Sequence, residues 1–398
     1  MKELTPEGIE KQNEFEVDNE IFAQQNSKRR KNVNRFKYFR IQNGYYWCAS
    51  NTWAYYSQFD FHSIRCKVDS MLCKILIIWT NSKCKGSISN FPIEKGKAWV
   101  FHDYEKTYGI KQGTFEASSL TDRDVSTIDF KGNFMTYDIE KGTPKFEVKA
   151  HEGMGNWIHG IGGKGPDYGA PELVTGGSDG CVRVWDPRQE APVVSLEPSE
   201  SEEIKPDCWW VKFGNAYNAE ERCIAAGYDN GDVKLFDLRM NMLQWDTNLS
   251  NGICGLEFDR PDIPMNKLVC TTLESKFHVF DMRTYHPEKG YSGLEEIAHK
   301  STIWGVSHYP QNRDLFTTLG GNGGIRLYKY KYPAQRVLKD LDNIDYGVVG
   351  TLELLNEKIV AQQPLVSLDW NDENFGLGVM WSLDQQWKVI IWTKLNLN

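Results

Sequence analysis

The chain has 398 residues, is 40% hydrophobic and 13% aromatic, and carries a formal net charge of −8. That apolar and aromatic content excludes a generally disordered chain, and the acidic balance lacks the basic footprint of general nucleic-acid binding. Nine cysteines without a Cys-x-x-Cys pair, no signal-like opening and no apolar run of spanning length point to a reducing compartment, mostly buried thiols and no membrane insertion.

Residues 1–60 read as an N-terminal arm, polar and rich in Asn and Lys. Within it KRRKNVNRFK, Lys28 to Lys37, reads as a solvated arm; a nuclear signal or a patch for an acidic partner is the sharper alternative. The spacing of Cys66, Cys73 and Cys84 matches no common zinc site.

From Glu94 onward one motif recurs: EKGKAWVFH in weak form, then FKGNFMTYD, SDGCVRVWD, YDNGDVKLFD, LESKFHVFD, GNGGIRLYK and LDQQWKVII. Aligned on the large residue near the end, the copies place Phe101, Tyr137, Trp185, Phe236, Phe280, Tyr328 and Ile390 at gaps of 36, 48, 51, 44, 48 and 62 residues. Five positions earlier stands Gly96, Gly132, Gly180, Gly231 or Gly323, and one before that Asp179, Asn230, Asn322 or Asp384. An Asp- or Asn-Gly pair before alternating residues is a hairpin signal, because both positions tolerate φ > 0. Alternation follows: Val182 and Val184 inward around Arg183, Val233 and Leu235 around Lys234, Ile325 and Leu327 around Arg326. Each unit therefore reads as strand, tight turn, strand. Residues 61–398 are expected to form one all-β, seven-bladed propeller. The last blade lacks an outer strand, which the region between Phe36 and Phe61 is expected to supply, closing the ring.

Chemistry-bearing patterns are few. GIGGKG, Gly160 to Gly165, has the spacing of a dinucleotide loop, but PDYGAPE after it breaks the helix such a site needs. Asp179, Asp229 and Asp384 sit at turns, where a carboxylate accepts backbone N–H groups, so they read as structural and not as catalytic acids. No catalytic, cofactor-binding or metal-ligating set emerges, and the chain reads as no enzyme. The acidic EPSESEEIKPD, Glu197 to Asp207, reads as a solvated connection or a dock for a basic partner. Trp209, Trp210 and Trp304 open inner strands, as core residues or as interface anchors. Arg188, Arg239 and Arg283 follow the large residue in WDPR, FDLR and FDMR, either paired locally with Asp or presented to a partner.

These units resemble WD repeats, the Gly-His … Trp-Asp blades of β-propellers, most strongly in VTGGSDGCVRVWD. The resemblance implies a buried hydrogen-bonded tetrad of His151, Thr175, Asp179 and Trp185, with His299 as a second tetrad histidine. From Tyr108 to Asn396, "FGNAYN", "DRPDIPMNKL", "AGYDNGDVKLFDLR" and "AHKSTIWGVSHYPQNRDLF" resemble the WD-repeat factors of axonemal dynein preassembly. The first hundred residues depart from that pattern. The resemblance implies a cytoplasmic, non-catalytic scaffold, also reaching the cilium. Its implied partners are a tetratricopeptide chaperone adaptor, an AAA-ATPase, prefoldin-like co-chaperones and dynein heavy chains as clients. The WDPR, FDLR and FDMR boxes also resemble those of cullin-ligase substrate receptors, a rival reading; a structural ciliary protein is another.

Overall fold

The computed structural model describes residues 108–392 apart from short connecting stretches, and before them only the backbone of six strands. Those are β1 (Phe36–Arg40), β2 (Arg65–Asp69), β3 (Lys74–Thr80), β4 (Gly86–Glu94), β5 (Lys97–Ala98) and β6 (His102–Glu105). Six four-stranded antiparallel blades follow. Blade A contains β7 (Ile110–Thr114), β8 (Asp124–Asp129), β9 (Asn133–Asp138) and β10 (Pro144–Lys149). Blade B contains β11 (Gly155–Ile161), β12 (Glu172–Gly177), β13 (Val182–Trp185) and β14 (Val194–Leu196). Blade C contains β15 (Cys208–Phe213), β16 (Cys223–Tyr228), β17 (Asp232–Asp237) and β18 (Met242–Asn248). Blade D contains β19 (Ile253–Phe258), β20 (Lys267–Thr272), β21 (Lys276–His286) and β22 (Gly290–Ile297).

Blade E begins with β23 (Ile303–His308), β24 (Leu315–Gly320) and β25 (Gly324–Lys331). A hairpin of β26 (Val337–Lys339) and β27 (Asp345–Gly347) intervenes before its outer strand, β28 (Thr351–Ile359). Blade F contains β29 (Leu365–Trp370), β30 (Leu377–Ser382) and β31 (Gln386–Trp392), and β1 is its fourth strand. β1 runs antiparallel to β31 from Phe36 opposite Trp392 to Arg40 opposite Lys388.

The turns follow the glycines. Gly132, Gly180, Gly231 and Gly323 have φ of 77°, 74°, 91° and 73°, a region where a Cβ is strained. Each glycine N–H donates to the carbonyl three residues back, closing the turn between second and third strands. Beyond the turns Val182, Val233, Leu235 and Ile325 are fully buried, and Arg183, Lys234 and Arg326 are half-buried. The blade-face side chains meet the next blade. Ile128 and Phe134 of blade A pack with Ile158, Leu173 and Trp185 of blade B. Val233, Leu235, Ile253 and Leu256 join blades C and D in the same way, and Leu319, Leu327, Leu365 and Met380 join E and F. The core is thus a set of interblade layers around a central channel.

The expectation of seven like blades is corrected: six sheets have the four-stranded form, and β2 to β6 form a five-stranded sheet in which β5 and β6 both pair with β4. EKGKAWVFH is not the turn and third strand of its unit. Gly86–Glu94 already occupies the third position of that sheet, and its end folds back onto the two-residue β5, Ile93 opposite Ala98 and Glu94 opposite Lys97. No Asp or Asn precedes Gly96 to shape the longer turn. Phe101 lies outside the described residues. The inner strand of this sheet, β2, touches β29 on one side and β7 on the other.

Candidate interaction surface

His151, Thr175, Asp179 and Trp185 come together inside blade B as one hydrogen-bonded chain. Trp185 Nε1–H donates to Thr175 Oγ1 at 2.9 Å, Thr175 Oγ1 meets His151 Nε2 at 2.8 Å, and His151 Nδ1 meets Asp179 Oδ1 at 2.9 Å. One proton arrangement satisfies all three: the hydroxyl donates to Nε2, and Nδ1–H donates to the carboxylate. Asp179 also accepts from the Cys181 N–H and from Arg183 Nη1. Burial alone would raise the Asp179 carboxyl, but His151, Arg183 and the Cys181 N–H hold it well below the carboxylate range. Burial also lowers the His151 pKa, which keeps the ring neutral between its partners. The arrangement ties the loop before β11 to the β12–β13 turn; every polar atom in it is spent on structure.

In blade E, His299 Nε2 meets Thr318 Oγ1 at 2.9 Å, and Tyr328 stands where blade B has Trp185. At the other turns, Asn230 accepts from the Asp232 N–H and Ser382 donates to Asp384. The Asp229 N–H donates to the Asp207 carbonyl.

The three recurring arginines lie towards the opposite ends of the third strands, Arg188 and Arg239 just beyond β13 and β17 and Arg283 near the end of β21, and they do not all hold the same partner. Arg188 pairs with its own Asp186 through Nε at 2.8 Å and Nη2 at 2.6 Å, with the side chain 72% exposed. Arg239 Nη2 stands 3.8 Å from Asp237. Arg283 turns away from Asp281 and pairs with Glu221 at 2.7 and 2.9 Å. Asp281, fully buried, is held instead by Arg336 from the chain just before β26. Arg336 in turn lies 4.5 Å over the Tyr332 ring. β27 packs on β21, where Gly347 lies so close that a Cβ would stand 2.4 Å from Thr284 Cβ. The inserted hairpin is therefore a strap from blade E onto blade D.

The tryptophans resolve by a shared irregularity. In each four-stranded blade the inner strand slips register at its second residue, so Lys111, Asn156, Trp209, Cys254, Trp304 and Val366 are bulge residues. Trp209 therefore faces blade D, against Gly252, while Trp210 stacks on Trp157 with ring centroids 3.3 Å apart. Trp304 is half-buried at the corresponding bulge of blade E. Residues 112, 157, 210, 305 and 367, each directly after a bulge, line the central channel. Two residues further along the same face, the six inner strands carry Thr114, His159, Lys212, Glu257, Ser307 and Asp369.

This polar layer was not singled out from the sequence. His159 Nδ1 accepts from the Phe213 N–H, so Nε2 carries the proton and donates to Glu116 at 2.9 Å. Glu257 lies between Lys212 Nζ at 3.3 Å and the His308 N–H at 2.6 Å. Burial works to raise the Glu257 carboxyl; Lys212 and His308 outweigh it and hold the group lowered. Aligning the six inner strands on their alternation would have exposed it, but the one-residue bulge hides the common phase. Among the described residues no group of His, Cys, Asp and Glu has a metal-binding arrangement. Cys181, Cys208, Cys223, Cys254 and Cys270 are free and buried. Of GIGGKG, Gly160 ends in β11 against Ala117, and Gly163 to Gly165 lie outside the described residues, as do 28–35 of the basic run.

The family model "WD domain, G-beta repeat" matches residues 144–186, which span the tetrad blade. The chain is 51% identical over 340 residues to dynein axonemal assembly factor 10 of Homo sapiens, covering 85% of this chain and 95% of that protein. It is 50% identical over 343 residues to the Xenopus tropicalis protein of the same name, covering 86% and 94%, and 46% identical over 326 residues to that of Chlamydomonas reinhardtii, covering 81% and 91%. The chain belongs to the dynein axonemal assembly factor 10 family. It is an all-β WD-repeat propeller, and the strap, the bulged inner strands and the tetrad are how this member of that family builds the ring.

Proposed function

We propose that the chain is a non-catalytic scaffold for cytoplasmic preassembly of axonemal dynein arms, holding a co-chaperone complex against a dynein heavy chain. The observation that carries this reading is the 46–51% identity, over more than four-fifths of the chain, to relatives named for dynein assembly. The architecture suits the role. Interblade packing makes the ring rigid, and its loops hold separate partners at fixed separations. The partners in this reading are a tetratricopeptide chaperone adaptor with its AAA-ATPase and prefoldin-like co-chaperones, and dynein heavy chains as clients. Residues 65–105 supply a seventh blade position between blades F and A, and the arm of residues 1–60 closes the ring through β1. Contacts of β2 with both β29 and β7 support that count.

The test is removal of the protein from a ciliated cell, followed by quantification of dynein heavy chains in cytoplasm and axoneme and by co-purification with tagged protein. Arms lost from the axoneme, with adaptor and heavy chains recovered from the cytoplasm, are expected. Normal arms overturn the reading. Recovery of a cullin adaptor that is lost on Arg239→Ala would replace it with the ligase reading; Arg188 and Arg283, already engaged by Asp186 and Glu221, give that alternative no support.

A further inference from the structure

Between β14 and β15 the chain runs through EPSESEEIKPD, and its last four residues, Ile204 to Asp207, stand outside any strand directly before Cys208. Ile204 is 86% exposed, more than any other large hydrophobic among the described residues. A single exposed isoleucine means little by itself. Its neighbours give this one a use. Lys205 is exposed and makes no hydrogen bond or ion pair among the described residues. Asp207 is half-buried, and its carboxylate likewise meets no donor there. Burial, then Asp229 and Asp179, push that carboxyl up, and Lys111 acts the other way. An apolar side chain, a free ammonium and an unpaired carboxylate thus stand together in one short segment.

The backbone holds this segment extended. Pro206 fixes its own φ and restricts Lys205 before it to β or polyproline conformations. The main chain lies on the β12–β13 turn: a Cβ at Gly180 would stand 2.9 Å from the Pro206 carbonyl oxygen and 3.6 Å from Lys205 Cβ. Gly180 thus gives the segment its seat, while Ile204 and Lys205 stay exposed. An enzyme that binds the segment finds it already ordered, which lowers the entropy cost of docking an extended peptide. Aliphatic residue, lysine, any residue, acid is the pattern that conjugating enzymes of small ubiquitin-like modifiers read directly, setting the lysine between an apolar contact and an ion pair. Of all the lysines in the chain, Lys205 alone has Ile, Leu or Val before it and Asp or Glu two residues after it.

We propose that Lys205 is the acceptor for a small ubiquitin-like modifier, joined through an isopeptide bond. The donor is the modifier's C-terminal glycine, held as a thioester on the cysteine of its conjugating enzyme. The deprotonated Lys205 amine attacks the thioester carbonyl; the N–C bond forms and the C–S bond breaks. Of the two protons the ammonium gives up, one ends on the leaving thiol and the other in solvent. Ile204 packs on the enzyme's apolar surface, and Asp207 pairs with a cation there. The attached modifier stands over the β12–β13 turn and near Trp209, closing that side of the ring to partners. The site is independent of the assembly role. Conjugation of the purified chain and dynein assembly in cells are separate readouts, so either can fail alone.

The test incubates the full chain with purified activating enzyme, conjugating enzyme, small ubiquitin-like modifier and ATP, without a ligase, and maps the conjugate by mass spectrometry. A conjugate on Lys205 is expected, lost in Lys205→Arg, which keeps the charge. Ile204→Ala is expected to slow conjugation at least about tenfold by removing the apolar contact. Asp207→Ala should slow it severalfold, and Asp207→Glu should match or exceed the parent rate, all with thermal midpoints close to the parent. If Asp207→Ala lowers the midpoint, Ile204→Ala and Asp207→Glu carry the comparison. No conjugate on the parent chain, conjugation undiminished in Lys205→Arg, or equal rates for the parent and Ile204→Ala overturns the proposal. So does ubiquitin, offered with its own conjugating enzyme, reaching Lys205 at the same rate with or without Ile204, which would make Lys205 merely an accessible lysine.

Discussion

At the scale of single residues, the two buried tetrad-type histidines make stability depend on pH. His151 and His299 are 1% and 3% exposed, and burial lowers both rings from 6.5, His299 to about 4 with Arg326 adding to the effect. The unfolded chain takes up these protons near pH 6.5 while the native rings stay neutral. Unfolding therefore binds protons, so stability is full above the unfolded pKa and falls as pH drops through the window below it. For His299 the loss approaches 3 kcal/mol on the order of magnitude by pH 4. Urea denaturation between about pH 7.5 and 4.5, above most carboxylate titrations, is expected to show a falling midpoint, less steep in His299→Gln. A flat midpoint would refute the assignment. These roles were half legible. His151, Thr175, Asp179 and Trp185 stood at the spacing a WD blade needs, but nothing in the spacing showed Arg183 on the Asp179 carboxylate. The alternation marks Arg183 simply as an outward position.

At the scale of elements, the strap of β26 and β27 is the clearest gain over the sequence. The 62-residue gap between Tyr328 and Ile390 signals an insertion and says nothing of its destination. The destination is set by Arg336, which neutralises the fully buried Asp281 in blade D. Arg336→Ala is expected to cost about 3–5 kcal/mol, because it leaves that carboxylate buried and unpaired. Asp281→Asn in the same chain should restore part of the loss. Chemical denaturation measures both, and hydrogen exchange should report faster opening of Val337 to Gly347. An Arg336→Ala loss below about 0.5 kcal/mol would show that the strap is held by Gly347 and Tyr346 packing instead. The Asp-x-Arg tripeptides show the same limit of local reading. Three similar strings do not share one contact: Arg188 and Arg239 face their own aspartates, whereas Arg283 turns to Glu221 and Arg336 takes Asp281, because Glu221 and Arg336 arrive from distant parts of the chain.

At the scale of the whole molecule, closure is the decisive contact. β31 would be an unpaired edge without β1, and an exposed edge both weakens a blade and templates association. Deleting residues 1–40 is expected to lower the thermal midpoint by at least about 5 °C and to promote aggregation, whereas deleting 1–30, which spares β1, should do neither. Thermal unfolding with light scattering separates the two; identical midpoints would mean that β1 does not close the ring.

Local chemistry was enough for the repeat. Asp- or Asn-Gly turns at φ > 0, period-two strands and a large residue at each strand end are encoded within about ten consecutive residues. Such short-range signals specify a blade and, by repetition, a propeller. The register of the inner strands, the destination of the strap and the charge of the channel were settled only on folding. Each depends on residues fifty or more positions apart: Trp157 on Trp210, Arg336 on Asp281, Glu257 on His308. A one-residue bulge moves every later side chain to the opposite face, so no reading of a strand in isolation reaches the channel.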